Sequence, residues 1–144
     1  MMKNFFYYQS LPDSMPVEDV ANEFHELLIE KPFSGKSKFD FLQALLELSD
    51  RQWHTYEQLC ESLKTQIEKT LINEWDGFDF DFAQGAIVVA AYLGLAELFD
   101  FISSQNVSEL SSEVAIEIKE AIAELGSNIA DPYSGMKLIG GDYV

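Results

Sequence analysis

An all-α fold is what this sequence predicts, and three observations carry the prediction. Apolar residues recur at helical spacing in five segments, and no segment sustains the period-two alternation of a strand. Hydrophobic residues make up 47% of the 144 positions, with 11 Phe, 6 Tyr and 2 Trp, ample material for one core. Consecutive helices with short connections and polar outer faces then read as antiparallel neighbours in a short array or an irregular bundle. We expect a single domain over residues 1–144, with about five helices, an N-terminal extension over 1–15 and an irregular tail over 127–144.

The first helix is expected from about Val17 to Glu30, with Val17, Val20, Ala21, Phe24, Leu27 and Leu28 on one face. Pro16 sits at its start, where a missing N–H costs nothing, and Pro32 closes its end. After the loop Pro32 to Lys36, Ser37 with Asp40 resembles a capping box opening a helix through about Leu48. Phe39, Phe41, Leu42, Leu45, Leu46 and Leu48 wrap more than one face of it, which makes it central. Ser49-Asp50 reads as a stop and a new N-cap. A third helix follows from about Arg51 to Asn73, on the seam Trp53, Tyr56, Cys60, Leu63, Ile67 and Leu71.

The loop Glu74-Trp75-Asp76-Gly77-Phe78-Asp79-Phe80-Asp81 alternates acids and aromatics around one glycine. A fourth helix, from about Phe82 to Ile102, is apolar on nearly all sides and is the expected core helix. Gly85 and Gly94 lie inside it. They permit close helix approach, or Gly94 divides the segment in two. The fifth helix begins near Ser111 or Ser112, turns Val114, Ala115, Ile118, Ala121, Ile122 and Leu125 inward, and ends at Gly126 as its C′ residue. The glycine-bearing tail has no helical pattern, and a short strand pairing with Phe5–Tyr8 is one conformation open to it.

Charge excludes several function classes. Asp and Glu number 25 against 9 Lys and Arg, a formal net charge of −16. Binding to phosphate backbones or anionic membranes needs the opposite sign. One cysteine, Cys60, makes no internal disulfide, and with His25 and His54 as the only histidines a zinc cluster lacks ligands. The aromatic run Phe5–Tyr8 is too short for a signal peptide, and the longest apolar run, Ala86 to Ala96, falls short of the roughly 20 residues of a membrane span. A cytoplasmic location, no cofactor and no metal are therefore expected. The charge is also uneven. Residues 1–72 hold 7 basic and 12 acidic side chains, net −5, and residues 73–144 hold 2 and 13, net −11.

Within the acidic half, two constellations stand out as a partner-binding surface. Glu74, Asp76, Asp79 and Asp81, interleaved with Trp75, Phe78 and Phe80, combine electrostatic steering with apolar anchors, the mixture that suits a basic protein partner. The structural alternative is that the aromatics cap the core while Asp79 or Asp81 caps the next helix. A calcium loop is a third idea, although the spacing is not that of an EF-hand. Glu113, Glu117, Glu120 and Glu124 recur at i, i+4, i+7 and i+11 and so share one stripe, where like charges repel by a few tenths of a kcal/mol per pair. That repulsion either faces water or awaits a basic partner.

The remaining motifs offer little chemistry. His54 and Glu57 at i,i+3 form an acid–base pair or a structural one, and Cys60 reads as a small buried hydrophobe. The glycines and Lys137 of the tail fail as a phosphate loop. No nucleophile elbow, C-x-x-C or H-E-x-x-H occurs, so no enzyme is expected.

The pattern Leu45-Leu46…Trp53-His54…Glu57, then the acidic aromatic loop, then Ala86…Ala90-Ala91…Leu93-Gly94-Leu95-Ala96, spans roughly residues 42–125. It resembles the HEAT-like immunity proteins of bacterial polymorphic-toxin and contact-dependent-inhibition systems. The resemblance implies antiparallel helices and a protein that binds a cognate toxin, often a nuclease, without chemistry of its own. No clear inter-helix turn is visible between Gly94 and Leu95, which departs from HEAT-like order. Two other roles fit the acidity: a phage-encoded inhibitor mimicking nucleic acid, and a generic helical adaptor. For the immunity role, Asp79→Lys with Asp81→Lys is expected to weaken partner binding while leaving the fold intact.

Overall fold

A computed structural model describes residues 5–12, 14–29, 36–55 and 57–125. Among them are seven α-helices and a 3-10 turn: α1 (Phe5–Gln9), α2 (Val17–Ile29), α3 (Lys36–Trp53), α4 (Glu61–Asn73), α5 (Phe80–Leu93), α6 (Ala96–Ser103), the turn Val107–Glu109, and α7 (Ser112–Leu125). No strand occurs among these residues, so the all-α expectation holds.

Helix-to-helix packing follows a simple order. The odd-numbered helices form one row, α1 on α3, α3 on α5 and α5 on α7, and the even-numbered ones form a second, α2 on α4 and α4 on α6. Contacts of α2 with α3, α5 with α6 and α6 with α7 join the rows, the order of a two-layered helical array. The core lies between them. On α3, Phe41, Leu42, Ala44, Leu45 and Leu48 are buried, and on α5 so are Phe82, Ala83, Ala86, Val89, Ala90 and Leu93. Each fully buried Leu or Phe contributes about 2 kcal/mol relative to exposure. A Cβ on Gly85 would lie 2.6 Å from Leu42 Cδ2, so this glycine sets how closely α5 approaches α3.

One expected helix boundary is displaced, and one expected helix is two helices. The segment Arg51–Asn73 breaks after Trp53, and α3 runs straight through Ser49-Asp50 rather than stopping there. Side-chain bonds to the backbone make the break. Gln52 Nε2 donates to Glu57 O at 2.7 Å, and Thr55 Oγ1 donates to Gln52 O at 2.7 Å while accepting from Glu57 N–H at 3.1 Å. These bonds offer the backbone an alternative to the helix that apolar spacing does not reveal. Trp53 thus ends α3, half-buried, with its ring centroid 6.2 Å from that of Tyr92. His54 lies in the turn, where its Nδ1 donates to Asp50 O at 2.8 Å, so the helical pair with Glu57 is replaced. Cys60, expected in the core, is instead the exposed N-cap of α4.

The segment Phe82–Ile102 divides at Gly94, whose φ of 68° and ψ of 43° place it in the left-handed region. Leu95 N–H donates back to Ala90 O at 3.0 Å, closing α5 as a C-terminal glycine cap does. Of the two readings of Gly94, the one in which it divides the segment therefore holds, and it supplies the inter-helix turn not visible between Gly94 and Leu95 in the sequence.

The N-terminal extension is also helical from Phe5, so no strand pairing uses it. Tyr8 is buried, the Tyr7 hydroxyl donates to Glu23 on α2, and Arg51 on α3 holds the end of α1. Its Nη2 donates to Gln9 O at 3.1 Å and Leu11 O at 2.9 Å. At the other end of the described residues, α7 begins as expected, but Ile122 is exposed rather than inward. Tyr56, the Pro32–Gly35 loop, the Gly126 cap and the tail lie outside the described residues.

Candidate protein-binding surface

The connections within successive helix pairs lie along one edge of the array, and two of them touch. Residues 74–79 join α4 to α5, and residues 104–111 join α6 to α7. Ser111 N–H donates to Gly77 O at 2.9 Å, which ties the acidic aromatic loop to the start of α7. Gly77 is buried against Glu109 O, and a Cβ there would also meet Leu110 Cδ2 at 2.8 Å, so only glycine allows this contact.

Within the loop the residues divide into those that build it and those that face out. Asp76 Oδ1 accepts from Phe78 N–H at 2.9 Å, and Asp76 O accepts from Asp79 N–H at 3.2 Å, closing a tight turn. Asp79 is the N-cap of α5: its Oδ1 accepts from Phe82 N–H at 3.1 Å. Trp75 is half-buried, edge-on to Phe82 and Phe101 with centroids 6.4 and 6.1 Å away. Phe80 packs against the core, and Glu74 closes α4, half-buried. Phe78 and Asp81 face solvent, Phe78 with 66% of its surface exposed. Both readings of the loop thus apply to different residues. Trp75, Phe80 and Asp79 are structural, and Phe78, Asp76 and Asp81 are presented outward.

The glutamates of α7 continue from this junction. Ser111 Oγ accepts from Val114 N–H at 3.2 Å and starts the helix beside Gly77. At 3.6 residues per turn, Glu113, Glu117, Glu120 and Glu124 fall within about 60° of the helix circumference. Glu113, Glu120 and Glu124 are exposed and Glu117 is half-buried, flanking the buried side of Val114, Ile118 and Ala121. Exposed Glu109 lies between loop and helix, a carboxylate that sequence reasoning missed because its role depends on the contact with Gly77. Exposed Val107 and Ile116 add apolar surface beside it, and no regular spacing announced them.

No basic residue occurs in the sequence between Lys69 and Lys119. Among the described residues none of these carboxylates takes part in an ion pair. The edge therefore carries an excess negative field, relieved among its described residues only by Lys119, with Phe78 projecting from it, which draws in cationic surfaces and offers an apolar anchor on contact. Among the described residues no group of three or more His, Cys, Asp or Glu is placed to hold a metal ion, the carboxylates of the loop included. No described helix is long and apolar enough to cross a membrane.

Comparison with protein-family models, curated proteins and solved structures finds no match to this chain.

Proposed function

We propose that this protein binds a basic protein partner through the edge formed by the 74–81 loop and α7, as an immunity protein that neutralises a cognate bacterial toxin domain in the cytoplasm. The observation that carries this reading is the bond from Ser111 N–H to Gly77 O, which makes one surface of two acidic segments some thirty residues apart in the chain. A nuclease suits the field best, because its nucleic-acid cleft must be positive. Asp76, Asp81, Glu109 and Glu113 steer it, and Phe78 supplies the desolvated contact that holds it. Inhibition then follows from occupying the toxin's substrate path, with no cofactor and no catalysis by this chain. The two-row helix order agrees with the HEAT-like immunity resemblance, since such arrays present edges and faces for binding.

The experiment is capture of partners from the native organism on the immobilised full chain, followed by a nuclease assay of the bound fraction before and after dissociation. A basic partner whose nuclease activity appears on dissociation supports the reading. An acidic or neutral partner without toxin activity removes the immunity role, and a phage or host DNA-binding protein in its place identifies a nucleic-acid mimic.

A further inference from the structure

The edge opposite the acidic loop carries a second feature. Helix α4 begins there and α5 ends there, so the α3–α4 and α5–α6 connections meet at the far end of α4, about 20 Å from the loop. A cleft of about 290 Å³ opens between them, lined by Gln58, Glu61, Lys64, Glu68, Gly94 and Glu97 among others. Two of its charged side chains are buried, Lys64 at 6% and Glu68 at 8% exposure.

These two stand four residues apart on α4, the spacing at which opposite charges ordinarily pair. Among the described residues no ion pair joins them. Lys64 Nζ donates instead to Gln58 Oε1 at 2.6 Å, with the Glu61 carboxylate at 3.9 Å. Glu68 Oε2 accepts from Leu98 N–H at 2.9 Å. Each group is thus held by a structural bond that separates it from the other. An ammonium has three donors and a carboxylate about four acceptor positions, so both keep bonding capacity toward the cleft. Glu97, exposed on α6, adds a further carboxylate to the same wall.

The charges select a ligand. A simple anion meets Glu61, Glu68 and Glu97, and a simple cation meets Lys64. A molecule bearing both signs meets a partner for each. The volume lies at the lower limit of small-molecule pockets, and no aromatic side chain lines it. We propose that this cleft binds a small zwitterion of the α-amino-acid class, its carboxylate on Lys64 and its ammonium between Glu68 and Glu97.

The test is titration of the isotopically labelled full chain with each standard L-amino acid at millimolar concentration, read by backbone amide shifts. Acetate and ethylammonium serve as the two half-ligands. Saturable shifts at Gly94, Glu97 and Leu98 are expected with at least one amino acid and with neither half-ligand. Lys64→Met is expected to weaken binding by about tenfold or more, the loss of a charge-assisted bond. If that variant does not fold, exposed Glu97→Gln replaces it, with a weakening of the same direction. No saturable shift with any amino acid, or equal shifts with a half-ligand, overturns the proposal. Asp81→Lys with Glu113→Lys, at the other edge, should bind the amino acid as wild type does, which separates this outcome from that of partner binding.

Discussion

Glu68 on α4 caps a helix to which it does not belong. Its Oε2 accepts the backbone N–H of Leu98 at 2.9 Å, in the first turn of α6, whose own N-cap, Leu95, has no side-chain oxygen to offer. An orphan donor at a helix start and a buried carboxylate satisfy each other across the α4–α6 contact. This bond helps to place the even-numbered row in register.

Glu68→Ala should therefore destabilise the protein by about 2 kcal/mol, a charged hydrogen bond lost with its donor left buried. Glu68→Gln, which keeps an acceptor, should lose about half as much. Urea denaturation curves of the two variants check the order, and equal losses would show that packing rather than the cap is at work.

Asp79 and Asp81 should separate. The double Lys substitution, expected from sequence to spare the fold, should instead also lower stability, because Asp79 caps α5. Asp79→Ala should cost about 1 kcal/mol of stability. Asp81→Lys should change stability by less than about 0.5 kcal/mol while weakening association with the captured basic partner and flattening its salt dependence. Thermal unfolding and partner association at several ionic strengths read the two effects independently.

Gly85→Ala should destabilise by about 1–3 kcal/mol, since the added methyl meets Leu42 Cδ2. In Leu42→Ala the space is open, so Gly85→Ala made in that background should cost much less. A double-mutant cycle in denaturant measures this coupling, and simple additivity would deny the contact.

Arg51→Lys should release α1. The guanidinium fork reaches Gln9 O, Leu11 O and the Glu47 carboxylate, the last at 2.8 Å, and an ammonium cannot span all three. Hydrogen exchange should show the largest loss of protection at residues 5–11, with a smaller, uniform loss elsewhere that reflects a global destabilisation of about 1–3 kcal/mol. Unchanged exchange there would mean that Tyr8 and Tyr7 hold α1 without the arginine.

The helical class and the core face of each long helix were legible because burial imposes a period on sequence. Phe24, Leu27 and Leu28 on α2, Leu42 and Leu45 on α3, and Val114 and Ile118 on α7 are all buried as spaced. The helix ends were less so. Gly94 carried a usable signal, being the residue type that tolerates positive φ. The break after Trp53 rests on Gln52 and Thr55 folding back on the backbone, and a seam continuing through Cys60 and Leu63 conceals it.

At the acidic edge, sequence alone determined the composition: carboxylates alternating with aromatics, and a glutamate stripe relieved only by Lys119. Which aspartate is structural and which is offered outward was decided by the turn that Asp76 closes and by the cap that the Asp79 side chain puts on α5. That the loop and α7 form one surface was decided by the Gly77–Ser111 bond, and the cleft beside Glu68 by three helix ends meeting. Periodicity reports only how a residue relates to its own helix. Contacts between residues distant in the chain depend on how the helices stack, and that is settled by the packing of the whole core.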